Sequence, residues 1–141
     1  VTAVCASLLA QLIKVLLNLF IFHRFIAERM WGAGGMPSSH SATVCAMVVA
    51  TGRYCGVSSP TFAIAAVLSI IVMYDAMGVR YETGEQAKVL NRLFTEWMDQ
   101  GIEQFQFPHG KKLKEMVGHT PIEVLTGAAL GIVLGFVMPM V

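Results

Sequence analysis

Four stretches of the chain are apolar almost without interruption: residues 1–22, 39–57, 60–79 and 121–141. A helix crosses a bilayer with about 20 apolar residues, so the pattern predicts four transmembrane helices. The second stretch is the weakest, with Arg53 near its end. Ser59-Pro60 and Thr120-Pro121 each place a capping residue before a proline suited to the first helical turn. A fifth segment follows a different rule. Leu90, Leu93, Phe94 and Trp97 recur at helical spacing, with Lys88, Arg92, Glu96 and Asp99 on the other side. This predicts an amphipathic helix over residues 83–98, opened by a capping box at Thr83 and Gln86. It suits either the membrane interface or the cover of a bundle. Residues 101–118 read as a polar loop. The expected fold is all-α: one membrane-embedded domain over residues 1–141, with four spans and one interfacial helix.

Composition agrees with a lipid solvent. Of 141 residues, 55% are hydrophobic and 13% charged, against about 25% charged in soluble domains. The net charge of +1 gives no reason to expect a nucleic-acid partner. Cys5, Cys45 and Cys55 form no CxxC pair, which points away from disulfide frameworks and zinc sites and toward small buried hydrophobes. The first stretch contains Lys14 and no small-residue cleavage site, so it does not read as a cleavable signal peptide.

Span parity assigns sides. Arg24, Arg29, Arg80, Lys88, Arg92, Lys111, Lys112 and Lys114 fall on one face, and Arg53 alone on the other. The positive-inside rule makes the charged face cytoplasmic. The expected location is a bacterial cytoplasmic membrane, with both termini outside.

Several polar residues lie within or beside the spans. Ser7, Gln11, Lys14 and Asn18 share one stripe of the first span. A lysine inside a span costs about 2.5–3.5 kcal/mol on insertion scales, so Lys14 needs a partner. Two are open: an ion pair with Asp75 or Glu123, or a bound anion. The second span is entered through Gly34-Gly35-Met36-Pro37-Ser38-Ser39-His40-Ser41-Ala42-Thr43. Glycines there allow close backbone approach. Ser38 is a helix cap, and His40 falls in the first turn. The fourth span opens with His119, and Thr120 and Glu123 satisfy a capping box. Glu123 therefore reads either as a cap or as a partner of His119. The third span ends in Asp75 and Arg80. Parity brings His40, Arg80, His119 and Glu123 to one face, with Lys14 reaching up to it. Helix N-termini bind anions. Two histidines, a carboxylate and two cations supply a nucleophile, a proton donor, an orienting group and charge neutralisation for phosphoryl transfer.

Pro37-Ser38-Ser39-His40 resembles the P-S-G-H motif of the type 2 phosphatidic acid phosphatase and vanadium haloperoxidase superfamily. His119-Thr120-Pro121-Ile122-Glu123, continuing to Gly127-Ala128-Ala129-Leu130-Gly131, resembles that superfamily's H-x-x-x-D motif and the helix that follows it. The strings GGMPSSHSAT, YDAMGVR, QAKVLN and GHTPIEV look like its divergent bacterial and plastid branch. The resemblance implies that His119 is the nucleophile, forming a phosphohistidine. Glu123 would orient it and His40 would protonate the leaving oxygen. Ser38, Ser39 and Gly35 would hold phosphate oxygens beside Lys14 and Arg80, with Asp75, Arg24 and Lys114 as auxiliary groups. The chain departs from the superfamily pattern in four places, one of them Glu123 in the slot of the motif aspartate. Ile21 stands where the first motif has arginine, Ser39 replaces the motif glycine, and Lys112-Leu113-Lys114 fills the slot of the S-R pair.

The expected function is metal-independent hydrolysis of a phosphate monoester, carried by a lipid at the membrane face. No cofactor is implied, and phosphate or vanadate is the expected occupant of the site. A cytoplasmic site suits phosphatidate or phosphatidylglycerol phosphate. The alternatives are a non-catalytic phospholipid or anion binder that keeps the pocket, and a structural or transport subunit. Gly127, Gly131 and Gly135 form a close-packing stripe, usable in a homo-oligomer or within one bundle.

Overall fold

A computed structural model describes residues 1–22, 35–101, 107, 110–115 and 117–139. Among them are five helices and no strand: α1 (Thr2–Phe22), α2 (Ser39–Cys55), α3 (Pro60–Met77), α4 (Val79–Asp99) and α5 (Pro121–Val137). The expected all-α fold is the one observed. The caps also form as the sequence predicts. Ser38, Ser59 and Thr120 each accept from a backbone N–H of the following turn, and prolines occupy the first turns of α3 and α5.

Helix α2 is the centre of the bundle, packed against α1, α3 and α5. The core is made of small residues. Ala6 and Ala10 of α1 meet Ala42 and Ala46 of α2, with Leu130 and Leu134 of α5 closing over them. Gly127, Gly131 and Gly135 are buried against α2. A Cβ on Gly127 would overlap the Ser38 backbone, and one on Gly131 the Ala42 backbone. Of the two uses the sequence allowed for this stripe, packing inside one chain is present. The large apolar side chains point outward instead: Leu8 and Leu12 on α1, Ile64 and Ile70 on α3, Leu125 and Phe136 on α5.

The helical run Pro60–Asp99, which joins α3 and α4, is 40 residues long and contains the window long and apolar enough to cross a membrane. Thr2–Leu17 and Pro121–Val137 are apolar but shorter. The four expected spans thus reduce, by length and composition, to one clear candidate among the described residues.

Two expectations change. Helix α4 begins at Val79, directly after Gly78 and without a side-chain cap. Thr83 therefore lies in its second turn, where its hydroxyl donates back to the Val79 carbonyl at 2.7 Å, and the capping box with Gln86 does not form. The buried side of α4 is Gly84, Ala87 and Asn91, whereas Leu90 and Leu93 are exposed. Among the cysteines only Cys45 is buried; Cys5 is half-buried and Cys55 exposed. At the end of the bundle away from His40, Arg53 donates to the Gly135 and Met138 carbonyls at 2.6 and 2.9 Å, closing the C-terminus of α5.

Candidate active site

The start of α5 is built around one carboxylate. Thr120 Oγ1 accepts from the Glu123 N–H at 3.4 Å, and Glu123 Oε2 accepts from the Thr120 N–H at 3.1 Å. The same Oε2 lies 3.1 Å from His119 Nδ1. Glu123 is therefore a cap and a histidine partner at once. A carboxylate only accepts, so Nδ1 carries the proton in this bond, and the neutral ring keeps its lone pair on Nε2.

His119 is 2% exposed. Its backbone N–H donates to the Ala76 carbonyl of α3 at 2.9 Å. Gly118 precedes it at φ +85°, close against the Arg80–Tyr81 backbone, where a side chain would collide. These contacts fix the ring while its Nε2 is buried with no hydrogen-bond partner among the described residues. Burial holds the imidazole below its ordinary pKa. The hydrogen bond and charge of Glu123 oppose that shift, and the charges of Lys14 and His40 add to it.

The start of α2 is tied to the start of α5. The Ser38 N–H donates to the Glu123 carbonyl at 3.0 Å. This brings the His40 ring to 6.2 Å from that of His119, centroid to centroid, at 60°. The two rings share a small cavity with Val72, Asp75, Ala76 and Arg80. It offers about 10 Å³, room for roughly one water molecule. Arg80 Nε bonds Asp75 Oδ2 at 2.5 Å, and both side chains are partly exposed.

Lys14 is 2% exposed. Its methylenes run past Gly35, so that a Cβ there would touch them at 3.7–3.9 Å. Among the described residues neither Asp75 nor Glu123 forms an ion pair with Lys14; Asp75 pairs with Arg80, and Glu123 with His119. Ser38 is fully buried, and its hydroxyl accepts from the Ser41 N–H and hydroxyl at 3.4 and 3.1 Å. Ser39 accepts from Gln11 Nε2 at 3.3 Å. Both serines thus hold α2 in place.

The structure brings together His40, His119, Glu123, Arg80 and Asp75, with Lys14 and Gly35 alongside. Lys114 is exposed on the segment before His119 and does not line the cavity. Arg24 lies outside the described residues. Sequence reasoning missed Val72 and Ala76. Their spacing around Asp75 on the last two turns of α3 was the available signal.

An all-α bundle with a histidine at the start of each of two adjoining helices, one backed by a carboxylate, is the class that fold and site define. The pattern of the divergent PAP2 family matches residues 1–134, and the chain belongs to that family. It is also 38% identical over 143 residues to the uncharacterised membrane protein YuiD of Bacillus subtilis (strain 168), an alignment covering 97% of this chain and 90% of that protein. No solved structure matches.

Proposed function

We propose that the protein is an integral membrane phosphatase that hydrolyses a phosphate monoester, borne by a lipid, through a phosphohistidine. The observation that carries this reading is the His119 ring. Glu123 holds its Nδ1, its buried Nε2 lacks a partner among the described residues, and the ring lines a cavity shared with His40. A neutral imidazole held in one tautomer is a nucleophile in waiting. His119 Nε2 attacks phosphorus, forming an N–P bond as the ester P–O bond breaks. His40, protonated at the start, gives its proton to the leaving oxygen. Water then attacks phosphorus, His40 takes its proton, and the N–P bond breaks to release phosphate. Glu123 stabilises the positive charge on His119 during both steps, and Lys14 and Arg80 balance the phosphate oxygens.

The inside-out packing supports four membrane spans. Small residues fill the interior while large apolar ones face outward, which is how helices pack where lipid is the solvent. The cation distribution supports a site at the cytoplasmic face. A site at the rim of such a bundle suits a substrate whose apolar part stays in the bilayer. Release of phosphate from phosphatidate or an aryl phosphate by the purified protein in detergent tests the reading; no release across both classes would overturn it. The small volume of the cavity and the Asp75–Arg80 pair favour a second reading, a phospholipid or anion binder without turnover. Phosphate binding without release would select it.

A further inference from the structure

Among the described residues, helix α4 contacts no helix but α3, yet it carries a buried asparagine that the chemistry above does not use. Asn91 is 3% exposed. Its Nδ2 donates to the Leu113 carbonyl at 2.8 Å and to Glu115 Oε1 at 2.7 Å, while its Oδ1 accepts from the Leu113 N–H at 2.8 Å. The side-chain amide thus pairs with both backbone groups of Leu113, as a neighbouring strand would. Two turns earlier, Gly84 lies against the carbonyls of Glu115 and Val117; a Cβ there would stand 2.6 and 2.9 Å from them. Further back, Gly118 abuts Arg80 and Tyr81, and His119 bonds Ala76. The described residues between Leu113 and His119 therefore lie along α4 and lead toward the cavity.

We infer that Asn91 is a positioning residue: it sets the register of the 113–119 segment on α4 and so places the His119 ring beside His40. The reasoning is geometric. Without it, Leu113 loses two hydrogen bonds and Glu115 loses one. Gly84 supplies room but no direction. Polar groups buried on the α4 side must be satisfied, and the three bonds of Asn91 are satisfied in one register only. A shift of one residue at Leu113 would be carried to His119, whose ring must stay within reach of both Glu123 and the reacting phosphorus. The catalytic part of this inference rests on the proposed phosphatase reading; the positioning part does not.

The test uses the full-length protein in detergent, with Asn91→Ala, the near-isosteric Asn91→Asp, and Arg92→Ala as a control on the exposed side of the same helix. Three properties are read: amide hydrogen exchange over residues 113–119, the titration of His119 by NMR, and turnover of an aryl phosphate. In Asn91→Ala, exchange at Leu113 and the residues after it should quicken by about tenfold or more, with the other helices protected as before. The His119 titration should move upward, because burial is the main cause holding it down, while Glu123, Lys14, His40, Arg80 and Asp75 all remain in place. Turnover should fall by roughly 10–100-fold in kcat with KM little changed, the cost of a misplaced reacting group. Asn91→Asp keeps the acceptor for the Leu113 N–H but sets an oxygen against the Leu113 carbonyl and the Glu115 carboxylate, so it should loosen the segment as well; it carries the test if Asn91→Ala does not fold. Unchanged exchange and His119 titration in a folded Asn91 variant would overturn the inference. A wild type without turnover would count against the phosphatase reading, while exchange and titration would still decide the positioning.

Discussion

The Ser38 N–H and the Glu123 carbonyl are 3.0 Å apart, and this one backbone bond joins the two histidine-bearing helix starts. It exists because Gly127 lets the α5 backbone lie directly on that of Ser38. Gly127→Ala should therefore separate the two ends. Forcing a methyl into a closed contact costs about 1–3 kcal/mol or more, and here the obstacle is backbone. The expected result is a lower melting temperature in detergent and loss of most turnover. Wild-type stability in that variant would show that the helices can part without penalty.

The phosphohistidine reading makes its sharpest statement through three substitutions. His119→Ala should abolish turnover. His40→Ala should hurt poor leaving groups most, because an activated aryl phosphate needs less protonation at its oxygen. Glu123→Gln keeps an oxygen that accepts from Thr120 and His119, so the fold should hold, while loss of the charge lowers the rate by about 10²-fold or more. Steady-state kinetics with alkyl and aryl phosphates separates these effects, and a folded, fully active His119→Ala protein would end the mechanism.

Arg80 is held by Asp75 at 2.5 Å in the cavity an anion would enter. An exposed pair of this kind contributes little to stability, about 0–1 kcal/mol. Asp75→Asn should leave the fold intact and free the guanidinium, tightening vanadate inhibition by roughly fivefold, the equivalent of about 1 kcal/mol. Weaker inhibition in Asp75→Asn would mean that Arg80 serves the ion pair rather than the anion.

The pH profile follows from His119. Burial lowers its pKa, against the opposing hydrogen bond and charge of Glu123. The neutral, nucleophilic form should therefore persist below the usual histidine value of about 6.5, and kcat/KM should not show an acid limb at that value from this group. Stability carries the same sign. The unfolded chain takes up this proton first, so the contribution is intact above about 6.5 and is lost as pH falls from there through the lowered folded value. Melting temperature measured against pH, in wild type and His119→Ala, should show a smaller acid-side loss in the variant.

Sidedness is tested by labelling. Lys111→Cys, in a background without the native cysteines, should resist an impermeant thiol reagent added to intact cells and react after permeabilisation. Labelling from outside would reverse the orientation drawn from the cation distribution.

The sequence by itself determined the elements and their starts. Ser38, Ser59 and Thr120 stand as caps where the pattern placed them, because capping depends on residues within one turn of each other. It also brought His40, Arg80 and His119 to one end, since the alternating direction of successive helices alone does that. What it could not determine were matters of contact. Glu123 read as either cap or histidine partner, and only the placement of the ring beside Oε2 made it both. Lys14 read as either the partner of Asp75 or Glu123 or the holder of an anion, and among the described residues both carboxylates turn to other partners. The start of α4 differs from the expected one because a helix can run on from Gly78 without a cap, its first turn packed against Gly118. Its buried side was misjudged because periodicity marks Leu90 and Leu93 as the side to cover, whereas the segment before His119 needs small residues and an amide to lie against. Close backbone approach selects Gly84, Ala87 and Asn91 for that side, and no local pattern in a sequence records what will come to rest on it.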